Sequence, residues 1–305
     1  MKIGVDLGGT KTEIIVLSDD NTPIFSKRIA SPRNEYSATI QCIVNLVKEA
    51  STTVFGSHNV DSIGVATPGA VSSTSQLIKN SNSVWLNNKP FHTDLSLALN
   101  CKVYIANDAN CMALSEACDG AGSNANTVFG IILGTGCGAG ITINKHIYAG
   151  KNGVAGEWGH NQLPWMNDDE LIFAKTQTCY CGKNGCIEQF LSGTGFARYY
   201  NFCNGFSTNL KSEEIFAIAD TGDVLANKCI ELYEVRLAKS LGHIINILDP
   251  DIIVAAGGMS NIERIYHNVN KHLNNWVFGH ESATKMVKSQ HGDASGVRGA
   301  AWLNQ

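Results

Sequence analysis

Residues 3–17, IGVDLGGTKTEIIVL, have a counterpart 126 positions further along the chain, FGIILGTGCGAGITI at 129–143. Both stretches place apolar runs on either side of a glycine cluster, which predicts a strand, a tight turn and a second strand. Aligned without gaps, they share four identities: two glycines, a leucine and an isoleucine. These identities are weak by themselves, because glycine and aliphatic residues match easily. The shared layout nevertheless favours a duplicated core that binds a nucleotide.

The rest of the chain alternates strands with helices, which indicates an α/β fold. The predicted helices cover 35–55, 108–118, 228–248, 260–273 and 293–303, and the further predicted strands cover 61–66, 102–106 and 251–256. Residues 150–204 show little periodicity, so we predict an ordered insertion that bears part of a site, with 167–170 as a solvated acidic loop. The predicted domains are 1–120 and 121–305, with the loop 157–188 in the second and the last helix packing back on the first.

Composition limits the class of protein. A chain of 305 residues suits two domains. The net charge is −4 without a Lys/Arg cluster, so we expect no nucleic-acid partner. There is no apolar run of the ~18 residues that a membrane span needs, and no signal peptide. We therefore expect a cytoplasmic protein with no membrane partner.

The first glycine turn, DLGGTKT at 6–12, has the composition of a phosphate-binding loop. Its glycines let the backbone approach a ligand, its threonine and lysine add a donor and a cation, and its aspartate could hold Mg²⁺ directly or through water. The candidate nucleotide contacts here are Asp6, Gly8, Gly9, Thr10 and Lys11. An ordinary hairpin turn explains the same letters. The second turn, LGTGCGAG at 133–140, favours the phosphate interpretation, because two such loops can serve one nucleotide.

Asp108 follows a predicted strand and precedes a predicted helix, in ANDANC at 106–111. An aspartate at such a position is often only a helix N-cap. The functional alternative makes Asp108 the base that accepts a proton from an attacking hydroxyl, with Asn107 hydrogen-bonded to the same substrate.

TCYCGKNGCIE, residues 178–188, places three of the ten cysteines close together. Cys179, Cys181 and Cys186, with His160 upstream, make a Cys₃His set, which is the donor set of a closed, structural zinc site. The spacing alone leaves free thiols or a redox role open, since CxC is tighter than the usual CxxC. The other seven cysteines are predicted to be small buried thiols.

The motifs DLGGTK, GVATPG, NDANC, LGTGCGAG, GEWGH, CYCGKNGCIE and AAGGMS occur in the order found in the ROK (repressor, ORF, kinase) family of sugar kinases, and the chain resembles that family from residue 2 to about 303. The resemblance implies a duplicated actin/hexokinase-like (ribonuclease H-like) α/β fold, with two domains around an active-site cleft and a zinc-binding insertion. One departure is AAGG at 255–258, where the family more often has three glycines, so a nucleotide contact at Ala256 is not carried over.

The resemblance also implies roles for single residues. Asp108 matches the catalytic base, and the implied sugar contacts are Asn107, Asp108, Glu157, His160 and Glu188. The implied nucleotide contacts outside the first turn are Gly134, Thr135, Gly136, Gly138, Gly257 and Gly258. The metal ligands are His160, Cys179, Cys181 and Cys186, and His160 is expected to turn its other ring nitrogen toward the sugar. The metal would then hold the sugar contacts on both sides of the cysteine cluster.

Within this family the chain resembles bacterial fructokinase/mannokinase enzymes most, on NSVWLN (82–87), LPWMNDDEL (163–171) and HGDASGVRGAAW (291–302). We therefore expect ATP-dependent phosphorylation of fructose to fructose 6-phosphate, possible also with mannose, and we keep N-acetylglucosamine kinase and glucokinase as alternatives. The expected cofactors are ATP, Mg²⁺ and a structural Zn²⁺, and a homodimer is allowed. The non-enzyme alternative is a sugar-responsive regulator. Repressors of this family carry a DNA-binding domain ahead of the first glycine turn, where this sequence has only five residues before Asp6.

Overall fold

A computed structural model describes residues 1–57 and 60–304. Its strands are β1 Lys2–Leu7, β2 Lys11–Leu17, β3 Pro23–Ala30, β4 Ser62–Thr67, β5 Ala70–Val71, β6 Ile78–Lys79, β7 Lys102–Asn107, β8 Thr127–Leu133, β9 Cys137–Ile143, β10 His146–Ile147, β11 Ile252–Ala256 and β12 Lys285–Lys288. Its α-helices are α1 Tyr36–Phe55, α2 Phe91–Leu99, α3 Asp108–Asp119, α4 Asp168–Lys175, α5 Glu188–Leu191, α6 Gly193–Cys203, α7 Ser212–Asp220, α8 Val224–Leu248, α9 Glu263–Leu273 and α10 Ser295–Ala301. The α/β class is confirmed.

Two five-stranded sheets share one strand order, β3-β2-β1-β4-β7 in the first and β10-β9-β8-β11-β12 in the second. In the first sheet β1 pairs antiparallel with β2 and parallel with β4, and β4 pairs parallel with β7. In the second, β11 runs parallel to both β8 and β12. The glycine turns of the sequence repeat follow β1 and β8, which are the central strands. The repeated order confirms the duplication.

By the density of contacts the chain divides into two compact units. Unit 1 comprises 1–124, 140–155 and 290–305, and unit 2 comprises 125–139 and 156–289. The boundary expected from the sequence was at 120/121. The two later segments of unit 1 begin within β9 and just after the last strand, and local sequence does not mark either point as a domain boundary.

The core of unit 1 fills both faces of the first sheet. Apolar residues of β1, β2 and β4 pack against α1 and α2 on one face, and α10 packs against β1 and β4 on the other. Gly4 and Gly64 make this second contact possible, since a Cβ there would lie 2.3 Å from the carbonyl oxygen of Val297 and 1.7 Å from that of Ala300. The backbone of α10 therefore lies directly on the two central strands.

Unit 2 is organised around α8, the 25-residue helix whose apolar face was predicted from 228 onward. It begins four residues earlier, where Asp223 caps it by accepting a hydrogen bond from the Ala226 amide at 2.7 Å. Helices α5, α6, α7 and α9 all pack against it. Within the described residues, no helix is both long and apolar enough to cross a membrane.

The acidic run 167–170 was predicted to be a solvated loop, and that prediction is wrong. Asn167 caps α4 in a capping box with Glu170, so the acidic residues form the first helical turn. Glu170 is buried on the α8 side, 2.7 Å from the Nε of Arg236 and 2.7 Å from the Nζ of Lys239. These cations lie more than sixty positions away, so local sequence gives no sign of them. Their charge lowers the pKa of Glu170 despite its burial.

The segment 150–204, predicted to lack periodicity, contains α4, α5 and α6. Helix α6 reads GTGFARYYNFC, and its two early glycines and aromatic residues give it low intrinsic helix propensity, so packing against α8 determines it. The prediction of buried thiols also needs a correction. Cys203, at the end of α6, is exposed, and Cys42, Cys101 and Cys118 are only half-buried.

Candidate functional site

Ser31, which the sequence did not single out, holds the first glycine turn by hydrogen bonds to its carbonyl groups. The amide of Ser31 donates to the carbonyl oxygen of Thr10 at 3.0 Å, and its hydroxyl donates to that of Gly8 at 2.7 Å. Gly8 in turn donates to the Lys11 carbonyl at 2.9 Å. Within the described chain, the amides of Gly9 and Thr10 donate to no other protein group. The turn therefore has its carbonyls engaged and two N–H groups available to an anion.

Asp6 lies at the carboxyl end of β1, next to this turn. Burial, followed by the charges of Asp108 and Glu13, raises its pKa from 3.8 to about 7, and Arg28 offsets only part of this. Arg28 is itself paired with Glu13, with its Nε 2.7 Å from a carboxylate oxygen. The carboxylate of Asp6 therefore lies in a region with excess negative charge, which a divalent cation would offset.

Asn107, not Asp108, caps α3. The Oδ1 of Asn107 accepts a hydrogen bond from the Asn110 amide at 2.8 Å, so its Nδ2 can donate to a ligand. Asp108 is the first residue of the helix and is exposed, and its Oδ1 accepts from the amide of Ala109 at 2.8 Å. The N-cap explanation of Asp108 is thus wrong. The asparagine satisfies the helix terminus, and the aspartate presents its carboxylate at the edge of the sheet beside Asp6.

The second glycine turn, in unit 2, is built like the first. The amide of Gly193 donates to the Gly134 carbonyl at 2.7 Å, and the hydroxyl of Thr194 donates to the Thr135 carbonyl at 2.6 Å. Gly134 donates to the carbonyl of Gly136 at 3.0 Å. The N-terminus of α6 thus supports this turn as Ser31 supports the first.

Glu188 ties the second turn to the cysteine cluster. Its Oε2 accepts a hydrogen bond from the amide of Cys137 at 2.9 Å, and its Oε1 lies 3.9 Å from the Sγ of Cys179. Gly136 has no side chain to collide with this carboxylate, since a Cβ there would lie 2.6 Å from Oε2. Gly138 lies in β9 and accepts at its carbonyl from the indole of Trp158 at 3.2 Å.

Gly257 and Gly258 follow β11, as the sequence predicted. Gly257 has a φ of 88°, and a Cβ there would lie 2.7 Å from the carbonyl oxygen of Leu133. A side chain is therefore excluded where β11 ends beside the second turn. Gly258 faces open space and begins a short 3₁₀ helix. This pair and the second turn lie together in unit 2.

Glu157 and His160 lie at the two ends of a one-turn 3₁₀ helix, Trp158–His160, with Glu157 at its N-cap. Glu157 is exposed, His160 is half-buried and Trp158 between them is buried. The ring of Trp158 packs edge-on against Phe129, with ring centroids 5.9 Å apart, which fixes the helix on β8. The tryptophan thus holds in place the segment that carries two candidate sugar contacts.

The four predicted metal ligands come together. The ligand atoms of His160, Cys179, Cys181 and Cys186 all lie within 4.8 Å of one another. The Nδ1 of His160 is 3.6 Å from the Sγ of Cys179, and the Sγ atoms of Cys181 and Cys186 are 3.5 Å apart. Burial, then the neighbouring thiols, raise the pKa of Cys186 to about 12, whereas, against the effect of desolvation, hydrogen bonds lower the pKa of Cys181. Three sulfurs and one imidazole fit zinc.

Gln189, which the sequence did not single out, holds the cysteine loop by hydrogen bonds to its backbone. Its Oε1 accepts from the amides of Gly185 at 2.8 Å and Cys186 at 3.2 Å, and its Nε2 donates to the carbonyl of Gln177 at 3.0 Å. Both ends of the loop are thereby fixed by one buried side chain. In the sequence, only its position next to Glu188 pointed to this supporting role, because an amide side chain could as well have been exposed.

Comparison with known proteins gives a match to the ROK family over residues 2–305. A curated relative from Photobacterium profundum, named N-acetyl-D-glucosamine kinase, is 36% identical over 307 residues, covering 100% of this chain and 99% of that protein.

Solved structures share the fold. The chain superposes with a TM-score of 0.86 on a ROK hexokinase from Thermus thermophilus, at 24% identity, over 99% of this chain and 97% of the other. A ROK family glucokinase from Streptomyces griseus, in complex with glucose and AMPPNP, gives a TM-score of 0.77 at 26% identity, over 99% and 98%. The hexokinase-like fold is therefore shown.

These findings do not support the fructokinase expectation and favour its N-acetylglucosamine alternative. Some residues of the three motifs that suggested fructose make contacts that stabilise the fold. In the C-terminal motif, Ser295 donates to buried Glu116 at 2.8 Å and Arg298 pairs with Asp119. Such contacts hold α10 in place whatever the sugar, so these two residues do not identify the substrate.

Proposed function

This chain belongs to the ROK family, and on that premise we propose that it is a kinase that transfers the γ-phosphoryl group of ATP to the primary hydroxyl of N-acetyl-D-glucosamine. The observation that carries the kinase proposal is that two neighbouring residues at the start of α3 have different roles. Asn107 caps the helix, and Asp108, its exposed first residue, would act as the base. A base is needed there, because a sugar hydroxyl must lose its proton as it attacks phosphorus.

The two glycine turns are proposed to hold the phosphates. In each, external donors engage two carbonyls of the turn, and the remaining N–H groups would donate to phosphate oxygens. Lys11 follows the first turn, is exposed and adds a full charge. Gly257 and Gly258 would admit the adenosine beside the second turn, because neither carries a side chain.

Asp6 would hold Mg²⁺, directly or through water, and the burial and negative surroundings of its carboxylate support this assignment. The ion, when bound, neutralises charge that develops on the phosphoryl oxygens. Asp108, close enough to raise the pKa of Asp6, would remain the proton acceptor.

In unit 2 the sugar would be held by Glu157, His160 and Glu188. The Cys₃His set would hold zinc with every coordination position filled by protein, so the metal is structural and takes no part in the chemistry. Its role is to fix His160 and, through the cysteine loop, Glu188. Gln189 contributes the same support without a metal.

N-acetyl-D-glucosamine is preferred over fructose as the acceptor because a full-length relative at 36% identity carries that activity in its name. Glucose is the next candidate, since a structural relative at 26% identity is a glucokinase solved with glucose.

The test is a coupled ATP-consumption assay with N-acetyl-D-glucosamine, on the wild type and on Asp108→Asn. The asparagine keeps the Oδ1 that accepts from Ala109, so fold and sugar affinity should persist while kcat falls by about 10²-fold or more. Equal losses in binding and turnover would make Asp108 a positioning residue. Near-normal turnover would end the assignment of the base.

A further inference from the structure

Tyr180 stands between two cysteines of the cluster, and its side chain is 82% exposed. The ring is therefore accessible to a ligand. Its hydroxyl oxygen lies 2.6 Å from the Nε2 of His160, and the two rings meet edge to face with centroids 4.8 Å apart. Because Nδ1 of the same imidazole faces Cys179, Nε2 is the nitrogen left for other partners.

The tyrosine hydroxyl is also within electrostatic reach of two carboxylates. These are Glu188 and Glu157. A phenol hydroxyl can donate one hydrogen bond and accept others. The hydroxyl of Tyr180 thus contacts one of the side chains that unit 2 is proposed to offer to the sugar and is within electrostatic reach of the other two.

This set has the chemistry that a hexose requires. Carboxylates accept hydrogen bonds from hydroxyls, a phenol both donates and accepts, and an aromatic ring covers the apolar C–H face of a sugar. We propose that Tyr180 is a further sugar-contacting residue, whose hydroxyl bonds the hexose beside His160 and whose ring covers part of it. The inference rests on the proposed function, because it takes His160, Glu157 and Glu188 as sugar contacts.

The same geometry permits an opposite outcome. Tyr180 would be a competitor if it only occupied Nε2 of His160 and had to leave when sugar arrived. Removal of the hydroxyl would then tighten sugar binding, whereas removal of a contact weakens it. The sign of the change in affinity separates the two.

The experiment is calorimetric titration of N-acetyl-D-glucosamine into the zinc-loaded wild type, Tyr180→Phe and Tyr180→Ala. We expect the dissociation constant to rise by about 5-fold in Tyr180→Phe, the usual scale of one hydrogen bond, and by at least about 10-fold in Tyr180→Ala, which also loses the ring. ATP affinity, zinc content and melting temperature should match the wild type, because the side chain is exposed.

Two control variants accompany the titration. Lys183→Met alters an exposed side chain in the same loop, whose carbonyl still accepts from Cys179, and Tyr148→Phe removes the hydroxyl of an exposed tyrosine in unit 1. Both should bind like the wild type. Unchanged or tighter binding in Tyr180→Phe overturns the inference, and so does a loss of affinity that accompanies a loss of zinc. A wild type that binds no hexose overturns the proposed function as well.

Discussion

Replacing Asp6 by asparagine should stabilise the protein at high pH while it removes activity. The folded protein holds the pKa of Asp6 at about 7, against 3.8 for an unburied aspartate. Folded Asp6 therefore binds its proton more tightly than the unfolded chain does, so stability is retained below about pH 4 and is lost as the pH rises toward 7. With about 1.36 kcal/mol for each tenfold change in acidity, the ionised carboxylate costs the folded state about 4 kcal/mol at pH 8.

Asp6→Asn keeps the shape of the side chain and removes this cost. Denaturant unfolding in magnesium-free buffer should show the variant more stable than the wild type, with a difference that grows by about 2–3 kcal/mol between pH 5 and pH 8. Added Mg²⁺ should narrow the difference at pH 8, because the ion stabilises only the carboxylate form. Asp61→Asn, at an exposed position of the same unit, is the control for the amide substitution itself, and the Asp6 trend should exceed it. A flat difference across this range, or a variant less stable than the wild type at pH 8, would refute the argument.

Three other substitutions test separate parts of the account. Gly9→Val should weaken ATP binding by about 10-fold or more and leave sugar binding unchanged. A Cβ at this position meets only the Ser83 hydroxyl, at 3.5 Å, so the fold tolerates it, and the added methyl groups would cover the N–H groups of the turn. Calorimetry with each ligand tests this, and an unchanged nucleotide affinity would mean that the turn is an ordinary hairpin. Cys181→Ser should lower zinc content from about one per chain, and with it the melting temperature and the sugar affinity; a variant that melts and binds like the wild type would argue for free thiols. Glu170→Leu should destabilise unit 2 by about 3–5 kcal/mol, because Arg236 and Lys239 are left buried without their carboxylate; a loss below about 1 kcal/mol in urea unfolding would contradict this.

The sequence predicted the elements whose signals are local. Apolar periodicity, with a glycine, asparagine or aspartate at the boundary, marks the glycine turns, α1, α3 and β11. In the structure these elements begin and end within one or two residues of the predicted positions. The four proposed metal ligands also lie together, because three of them occupy one short loop.

What the sequence could not supply depends on distant partners. Ser31 supports a turn that ends twenty residues earlier, and Glu170 is neutralised by cations on α8. A hydroxyl or a carboxylate has the same letter whether solvent or a buried partner satisfies it, so such roles appear only in three dimensions. The fructose expectation rested on motif letters, some of which serve packing, and the relatives favour the N-acetylglucosamine alternative instead.

The central claim is tested most directly by a competition among sugars. Equimolar N-acetyl-D-glucosamine, glucose, fructose and mannose are incubated together with the protein and limiting ATP and Mg²⁺, and the sugar phosphates are separated and quantified by mass spectrometry. Because all acceptors share one enzyme, the product ratios report the ratios of kcat/KM. The account predicts that N-acetyl-D-glucosamine 6-phosphate dominates the products and that Asp108→Asn forms about 10²-fold less of it. A predominance of fructose 6-phosphate would contradict the proposed substrate, and the absence of any sugar phosphate would contradict the proposal that this protein is a sugar kinase.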